Sequence, residues 1–176
     1  MKQLFIATFV IACGSLLADA RAADITVTMH QINDAGVGEK IGTIRAFDDK
    51  GGLRLVPRLA KLPPGERGFH VHETMSCAAQ TADGRKGAGL GAGGHYDPSR
   101  SGKHAGPVGD GHLGDLPPLK VATDGTARAS VLAPRLKVAD LRGRAIVIHA
   151  GGDNFADQPQ PLGGGGARIA CGTIAR

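Results

Sequence analysis

The sequence predicts an all-β fold, with antiparallel strands packed as a sandwich or barrel and long loops carrying the chemistry. Three observations predict it. Short apolar runs, alternating or β-branched, recur at close spacing; Gly- and Pro-containing turns separate them; no segment sustains a long helical period. The 176 residues suit one domain with a real core.

Residues 1–22 read as a removable secretory signal. Lys2 gives a positive start, Leu4 to Leu17 is apolar, and small residues follow in A-x-A spacing at Ala18-Asp19-Ala20 and Ala20-Arg21-Ala22. The apolar run is too short for a membrane span and no second run follows. Val10-Ile11-Ala12-Cys13 loosely matches a lipoprotein signal, but lipidation at Cys13 would leave an unusually short leader. The domain proper is then 23–176, and export from the cytoplasm is expected. Removing the leader takes Lys2, Arg21 and Asp19, which lowers the formal charge from +5 to +4. Nucleic-acid binding wants a basic stripe with aromatics; here Trp is absent and aromatics are few. A mild positive field suits a small anion instead.

Taken in order, Ile25, Val27 and Met29 alternate with Thr26, Thr28 and His30, predicting a half-buried strand with His30 as a surface histidine. A turn around Asn33–Gly38 leads to a strand over Lys40–Phe47; Asp48 to Gly52 turns into a strand over Leu53–Val56. In Gly68-Phe69-His70-Val71-His72-Glu73, Phe69 and Val71 face the core while His70 and His72 converge on the other face. Such an H-x-H offers two nitrogens to one metal. Lys120–Ala122 and Ala127–Leu132 flank Asp124-Gly125, a hairpin signature. Val138–Leu141 is one helical turn or a loop. Ala145-Ile146-Val147-Ile148 is a core strand delivering His149, and Ala167–Gly172 is the last strand.

The stretch from Gly93 to Asp115 carries the strongest chemical signal. It holds His95, His104, His112 and Asp115 among Gly, Pro, Ser and charged residues, without strand or helix period. A long loop of this kind needs a reason to be ordered. Three imidazoles and a carboxylate supply one, because zinc takes a tetrahedral set of this type. With His70 and His72 already offered, His149 becomes a third ligand for a second metal, and Asp153 can orient a ligand from behind. Arg168 stands where the Pro159–Gly166 loop meets the last strand, placed to bind a small anion. Cys77 and Cys171 remain after the leader is lost. A bond between them would close a loop worth about 4–5 kcal/mol; the alternative is two buried thiols.

Together, GFHVHE at 68–73, GGHYDP at 93–98, GKHAGP at 102–107, GHLGDLP at 111–117, HAGGDN at 149–154 and GGGGARIACG at 163–172 resemble the copper–zinc superoxide dismutases, in particular their bacterial periplasmic branch. The resemblance runs in order through essentially the whole mature chain. It implies an eight-stranded Greek-key barrel and one copper and one zinc per subunit. The implied copper ligands are His70, His72, His95 and His149, and the implied zinc ligands His95, His104, His112 and Asp115, so that His95 bridges. It further implies that Asp153 links a copper histidine to a zinc histidine, that Cys77 pairs with Cys171, and that Arg168 holds superoxide in a monomer or homodimer protecting the cell envelope. His95 would carry a proton and, with Arg168, take part in the reaction. Lys86, Lys103 and Arg85 are candidates for steering the anion. Arg67 stands where family members often carry histidine. Two rivals are weighed: a non-catalytic periplasmic copper or zinc binder on the same fold, and a zinc hydrolase, which needs an open coordination position that the His3Asp set does not leave.

Overall fold

The computed structural model describes residues 24–82 and 85–176; the proposed leader, with Cys13, lies outside them. Eleven strands are present among the described residues: β1 (Ile25–Asn33), β2 (Gly36–Asp49), β3 (Gly52–Leu59), β4 (Gly65–Arg67), β5 (Phe69–His72), β6 (Gln80–Ala82), β7 (Arg85–Gly87), β8 (Leu119–Val121), β9 (Val131–Ala133), β10 (Ala145–His149) and β11 (Arg168–Thr173). The principal sheet has seven strands in the order β5-β10-β11-β1-β2-β3-β9, all antiparallel. Its two ends are brought together by a separate pair, β4 with β8. β4 precedes β5 by one residue at one edge, and β8 precedes β9 in the chain at the other, so this pairing curls the sheet into a barrel. The antiparallel barrel expected from sequence is therefore present. Among the described residues no α-helix occurs, and no helix is long and apolar enough to cross a membrane.

The alternation of β1 works as its sequence demands. Val27 and Met29 enter the core, while Thr26, Thr28 and His30 stay partly exposed. Phe69, Val71, Ile146 and Ile148 join the same core from β5 and β10. On the opposite face of β10, Ala145 and Val147 pack with Ile32, Ala92, Cys77 and Cys171 in a second, smaller cluster. The disulfide between Cys77 and Cys171, with Cα atoms 5.7 Å apart, pins the segment after β5 to β11 at this cluster.

One expectation is corrected. The Asp124-Gly125 turn forms, with Ala122 N–H donating to the Thr126 carbonyl at 2.8 Å, but its arms do not pair as a hairpin. β8 goes to β4, Ala127 bridges to Leu59, and β9 pairs with β3. The turn directs the chain from one sheet edge to the other instead of folding it back. Val138–Leu141 is a single 3-10 turn, its first N–H capped by Asp48 at 2.8 Å.

Candidate metal centre

β5 lies at the edge of the principal sheet with β10 on one side. Its other side is completed by loop backbone. Val71 N–H donates to the Gly114 carbonyl at 2.9 Å, Tyr96 N–H to the Val71 carbonyl at 2.8 Å, and Glu73 N–H to the Gly94 carbonyl at 3.1 Å. Gly114 is required for this approach, since a Cβ there would fall 2.3 Å from the Val71 oxygen. The loop from 93 to 115 therefore lies along the histidine-bearing strand. His70 and His72 face away from the core as expected, but this loop buries them completely. His72 then stands opposite His95 and His70 opposite Asp115.

Two groups of ligands result. The ligand atoms of His70, His72, His95 and His149 lie within 4.8 Å of one another, and so do those of His70, His95, His104 and Asp115. The predicted residues are thus brought together, with one difference: His112 stands slightly outside the second group, its Nδ1 3.5 Å from Asp115 Oδ1. His70 counts in both groups by proximity, yet its Nε2 is engaged by Asp153 Oδ2 at 2.7 Å. That leaves only His70 Nδ1 free. His30, the remaining histidine, is apart from the cluster, as the strand pattern implied.

Hydrogen bonds hold one nitrogen in five of the six rings, among them His95 Nδ1, which meets Asp115 Oδ1 at 2.9 Å. His72 Nδ1 meets the Gly93 carbonyl at 3.0 Å, His149 Nδ1 the Gly166 carbonyl at 3.1 Å, and His104 Nε2 meets Asp153 Oδ1 at 2.7 Å. Four buried ring nitrogens make no hydrogen bond of good geometry: His70 Nδ1, His95 Nε2, His104 Nδ1 and His112 Nδ1, the last two standing 3.0 and 3.5 Å from Asp115. Buried polar atoms without partners are costly. All four belong to the ligand groups or their flank, which is the arrangement expected of nitrogens kept for metal. His72 Nε2 and His149 Nε2 face each other at 3.4 Å, also across the first group. The residues present fit a pair of metals.

The two groups differ electrostatically. Burial lowers His70 to a pKa of about 3, and burial lowers His149 to about 4. Burial also drives His72 well below its ordinary value, with help from neighbouring His95 and Arg168. These rings are neutral at physiological pH and their lone pairs are available. His104 is the opposite. Burial opposes its charge, but Asp115 and Asp153 on its two sides outweigh that and raise it to about 9. Asp115 and Asp153 are buried, which disfavours their charge, yet their histidine partners hold both well below the usual carboxylate range. A metal in the second group must therefore displace a proton from His104. Zinc titrated into metal-free protein at pH 7 is expected to release about one proton from this ring. The release should fade as pH rises through about 9, where His104 loses its proton without metal. The check is calorimetry in buffers of different ionisation enthalpy; heats independent of buffer would contradict it.

Around the centre, Arg168 is half-buried, donating to the Gly89 carbonyl at 2.6 Å and the Gly93 carbonyl at 2.7 Å. Lys86 and Lys103 are exposed; the Arg85 side chain lies outside what the structure describes. Arg67 donates to the carbonyls of Pro63, Pro64 and Ala150, tying β4 to the chain just beyond His149. The departure from the family's usual histidine is thus occupied by a guanidinium clip. Two contacts carried no signal in the sequence. Asp157 accepts the backbone N–H of His104 at 2.9 Å, and Arg135 donates to carbonyls of the loop between His104 and His112.

The family model described as copper/zinc superoxide dismutase (SODC) matches residues 40–174. The chain belongs to the copper/zinc superoxide dismutase family. The copper–zinc superoxide dismutase 2 of Salmonella typhimurium is 51% identical over 176 residues, covering 99% of each chain. The Escherichia coli copper–zinc superoxide dismutase is 49% identical, covering 98% of this chain and 97% of its own. Among solved structures, the Brucella abortus Cu/Zn superoxide dismutase superposes with a TM-score of 0.85 at 48% identity, over 86% of this chain and 99% of that one. A monomeric copper, zinc superoxide dismutase from Salmonella enterica superposes with a TM-score of 0.78 at 52% identity, again over 86% and 99%. As a superoxide dismutase this chain is an oxidoreductase acting on superoxide, with copper and zinc as its metals.

Proposed function

We propose that His70, His72, His95 and His149 hold copper, that His95, His104, His112 and Asp115 hold zinc, and that His95 lies between the two metals. The four buried nitrogens that make no well-formed hydrogen bond, two of them beside Asp115, carry this reading. His112 is preferred over His70 in the zinc set because His70 has one nitrogen left, Nδ1, which the copper set uses, while His112 Nδ1 stands beside Asp115. Copper, when bound, supplies the one-electron redox couple; zinc does not change oxidation state.

The residues then have distinct tasks. His72 and His149 are oriented by backbone carbonyls, so each presents Nε2 to the first group. Asp153 binds His70 and His104 with separate oxygens and sets both rings from one carboxylate. His95 Nε2, unpartnered beside His72 and His149, is the atom that holds a proton between the two half-reactions. Arg168, fixed by two carbonyls close to His72 and His149, binds the superoxide anion. Lys86 and Lys103, both exposed, are the candidates for adding to the positive field, the charge of Lys103 being partly offset by Asp110 at 3.9 Å. Residues 1–22 direct export, and the mature domain, 23–176, works in the periplasm, where it removes superoxide from the cell envelope. It binds one copper and one zinc per subunit. The monomeric Salmonella enterica relative supports a monomer here, which light scattering on the purified protein would check.

The test is superoxide decay by protein loaded with copper and zinc, against the same protein stripped of copper. Fast, copper-dependent decay is expected. Stoichiometric copper binding with background decay would make the chain a non-catalytic metal binder. Arg168→Ala should lower kcat/KM about tenfold at low ionic strength and flatten its salt dependence. Unchanged turnover at low salt would remove Arg168 from anion binding.

A further inference from the structure

The zinc-loop segment between His104 and His112 folds back on itself with several carbonyls aimed inward, and one side chain from elsewhere meets them. Arg135 donates from Nε to the Pro107 carbonyl at 3.2 Å and from Nη1 to the Gly111 carbonyl at 3.1 Å. Its Nη2 donates to the Gly106 carbonyl at 3.2 Å and the His112 carbonyl at 2.5 Å. Gly106, Gly111 and His112 are buried. Among the described residues, no backbone N–H donates to the carbonyls of Gly106, Pro107 or Gly111.

The root of Arg135 is fixed by the barrel. It follows β9, which pairs with β3, and its neighbour Leu136 is buried in the main core. The guanidinium is thus a rigid post carrying several donors in a fixed fork, reaching a loop with no secondary structure of its own. His104 precedes the four carbonyls it gathers and His112 supplies the last of them, and His112 N–H donates to the carbonyl of Lys103, the residue before His104, at 2.9 Å.

We propose that Arg135 is a positioning residue for zinc: by gathering the carbonyls of Gly106, Pro107, Gly111 and His112 it sets the loop so that the Nδ1 atoms of His104 and His112 face Asp115 before the metal arrives. This rests on the zinc assignment given above. Asp115 lies 3.0 Å from His104 Nδ1 and 3.5 Å from His112 Nδ1. Without the guanidinium, the buried carbonyls of Gly106 and Gly111 and that of half-buried Pro107 lose their donor, and the loop can recover them only by turning toward water, which carries His112 away.

The experiment measures zinc dissociation constants by chelator competition, together with the visible spectrum of cobalt placed in the zinc position. It compares the unaltered protein with Arg135→Gln, Arg135→Lys and His112→Ala. Arg135→Gln is expected to weaken zinc roughly tenfold and to change the cobalt spectrum. Arg135→Lys should recover only part of this, because an ammonium lacks the fork that spans four carbonyls. Copper retention, held by β5 and β10, should match the unaltered protein. Zinc affinity and cobalt spectra unchanged in both Arg135 variants, even with a lower melting temperature, would overturn the proposal and leave Arg135 a packing residue. If His112→Ala kept full zinc affinity, the ligand assignment would fail instead, and the two failures are distinguishable.

Discussion

Replacing Gly163 with alanine should weaken zinc binding by about a hundredfold while leaving the barrel folded. A Cβ at this position would lie 2.1 Å from Asp153 Oδ1 and 2.7 Å from His104 Nε2. It would therefore wedge into the hydrogen bond that joins the two at 2.7 Å, as short as the one from the same carboxylate to His70. Gly163 cannot easily retreat. Its N–H donates to the Ala156 carbonyl at 2.9 Å and its own carbonyl accepts from Asn154 at 3.0 Å. Asp153 must then swing away, and His70 and His104 lose the carboxylate that orients both. The control is Gly166→Ala in the same loop. The φ values are similar, +71° and +66°, but nothing stands closer than 4.0 Å to a Cβ at Gly166. That variant should show only the backbone cost of a left-handed alanine, about 1–2 kcal/mol, and keep its zinc. Chelator competition on both variants decides it; equal zinc retention would show that contact with Asp153 is not what Gly163 protects.

The disulfide should carry the largest share of stability of any single feature. It spans a sequence separation of 94 residues. In the chain-entropy account, opening a loop of that size costs about 4–5 kcal/mol. For a domain of this size that corresponds to a melting temperature about 10–20 °C lower in metal-free Cys77→Ser/Cys171→Ser protein. Metal must be absent from the comparison, because a ligand that binds only the folded state masks the loss. A functional cost should accompany it. The segment after Cys77 holds the turn over 89–93 through Gly91 N–H to the Ala78 carbonyl at 2.9 Å, and Thr74 N–H donates to Ala92 at 2.9 Å. That turn supplies both carbonyls that fix Arg168, itself on the strand that carries Cys171. Cutting the bond loosens the ring at its joint, so kcat/KM should fall in the metal-loaded double variant too. A melting shift of only a degree or two would show that the reduced chain keeps this loop closed by other contacts.

Much of the site was legible because its chemistry uses rare residues in short motifs. His70 and His72 were placed by the period of one strand, His149 by the end of another, and the loop histidines by their density in a segment that otherwise lacked a reason for order. What was not legible depends on non-local partners. Asp124-Gly125 announces a turn, but which strands its arms join depends on β3 and β4, and β4 is only three residues with no period of its own. The outer face of β5 reads as a solvent face, because alternation cannot report that a loop two dozen residues later will cover it. Arg135 follows a proline in a connecting segment, where an arginine ordinarily points into water, and its four carbonyl partners leave no trace in residue identity. Arg67 could be seen to differ from its relatives, yet only the fold reveals that it clips three carbonyls.

The pairing of β5 with β10 sets Phe69 against Ile148 and His72 against Ala145, strands far apart along the chain. Contacts of such long range form late and slowly, after the intervening polypeptide has been drawn in. No local fragment can offer the first ligand group complete, because its residues come from β5, β10 and the loop between them. Metal can bind the complete group only in the folded chain, so its binding should raise the stability of the barrel by mass action.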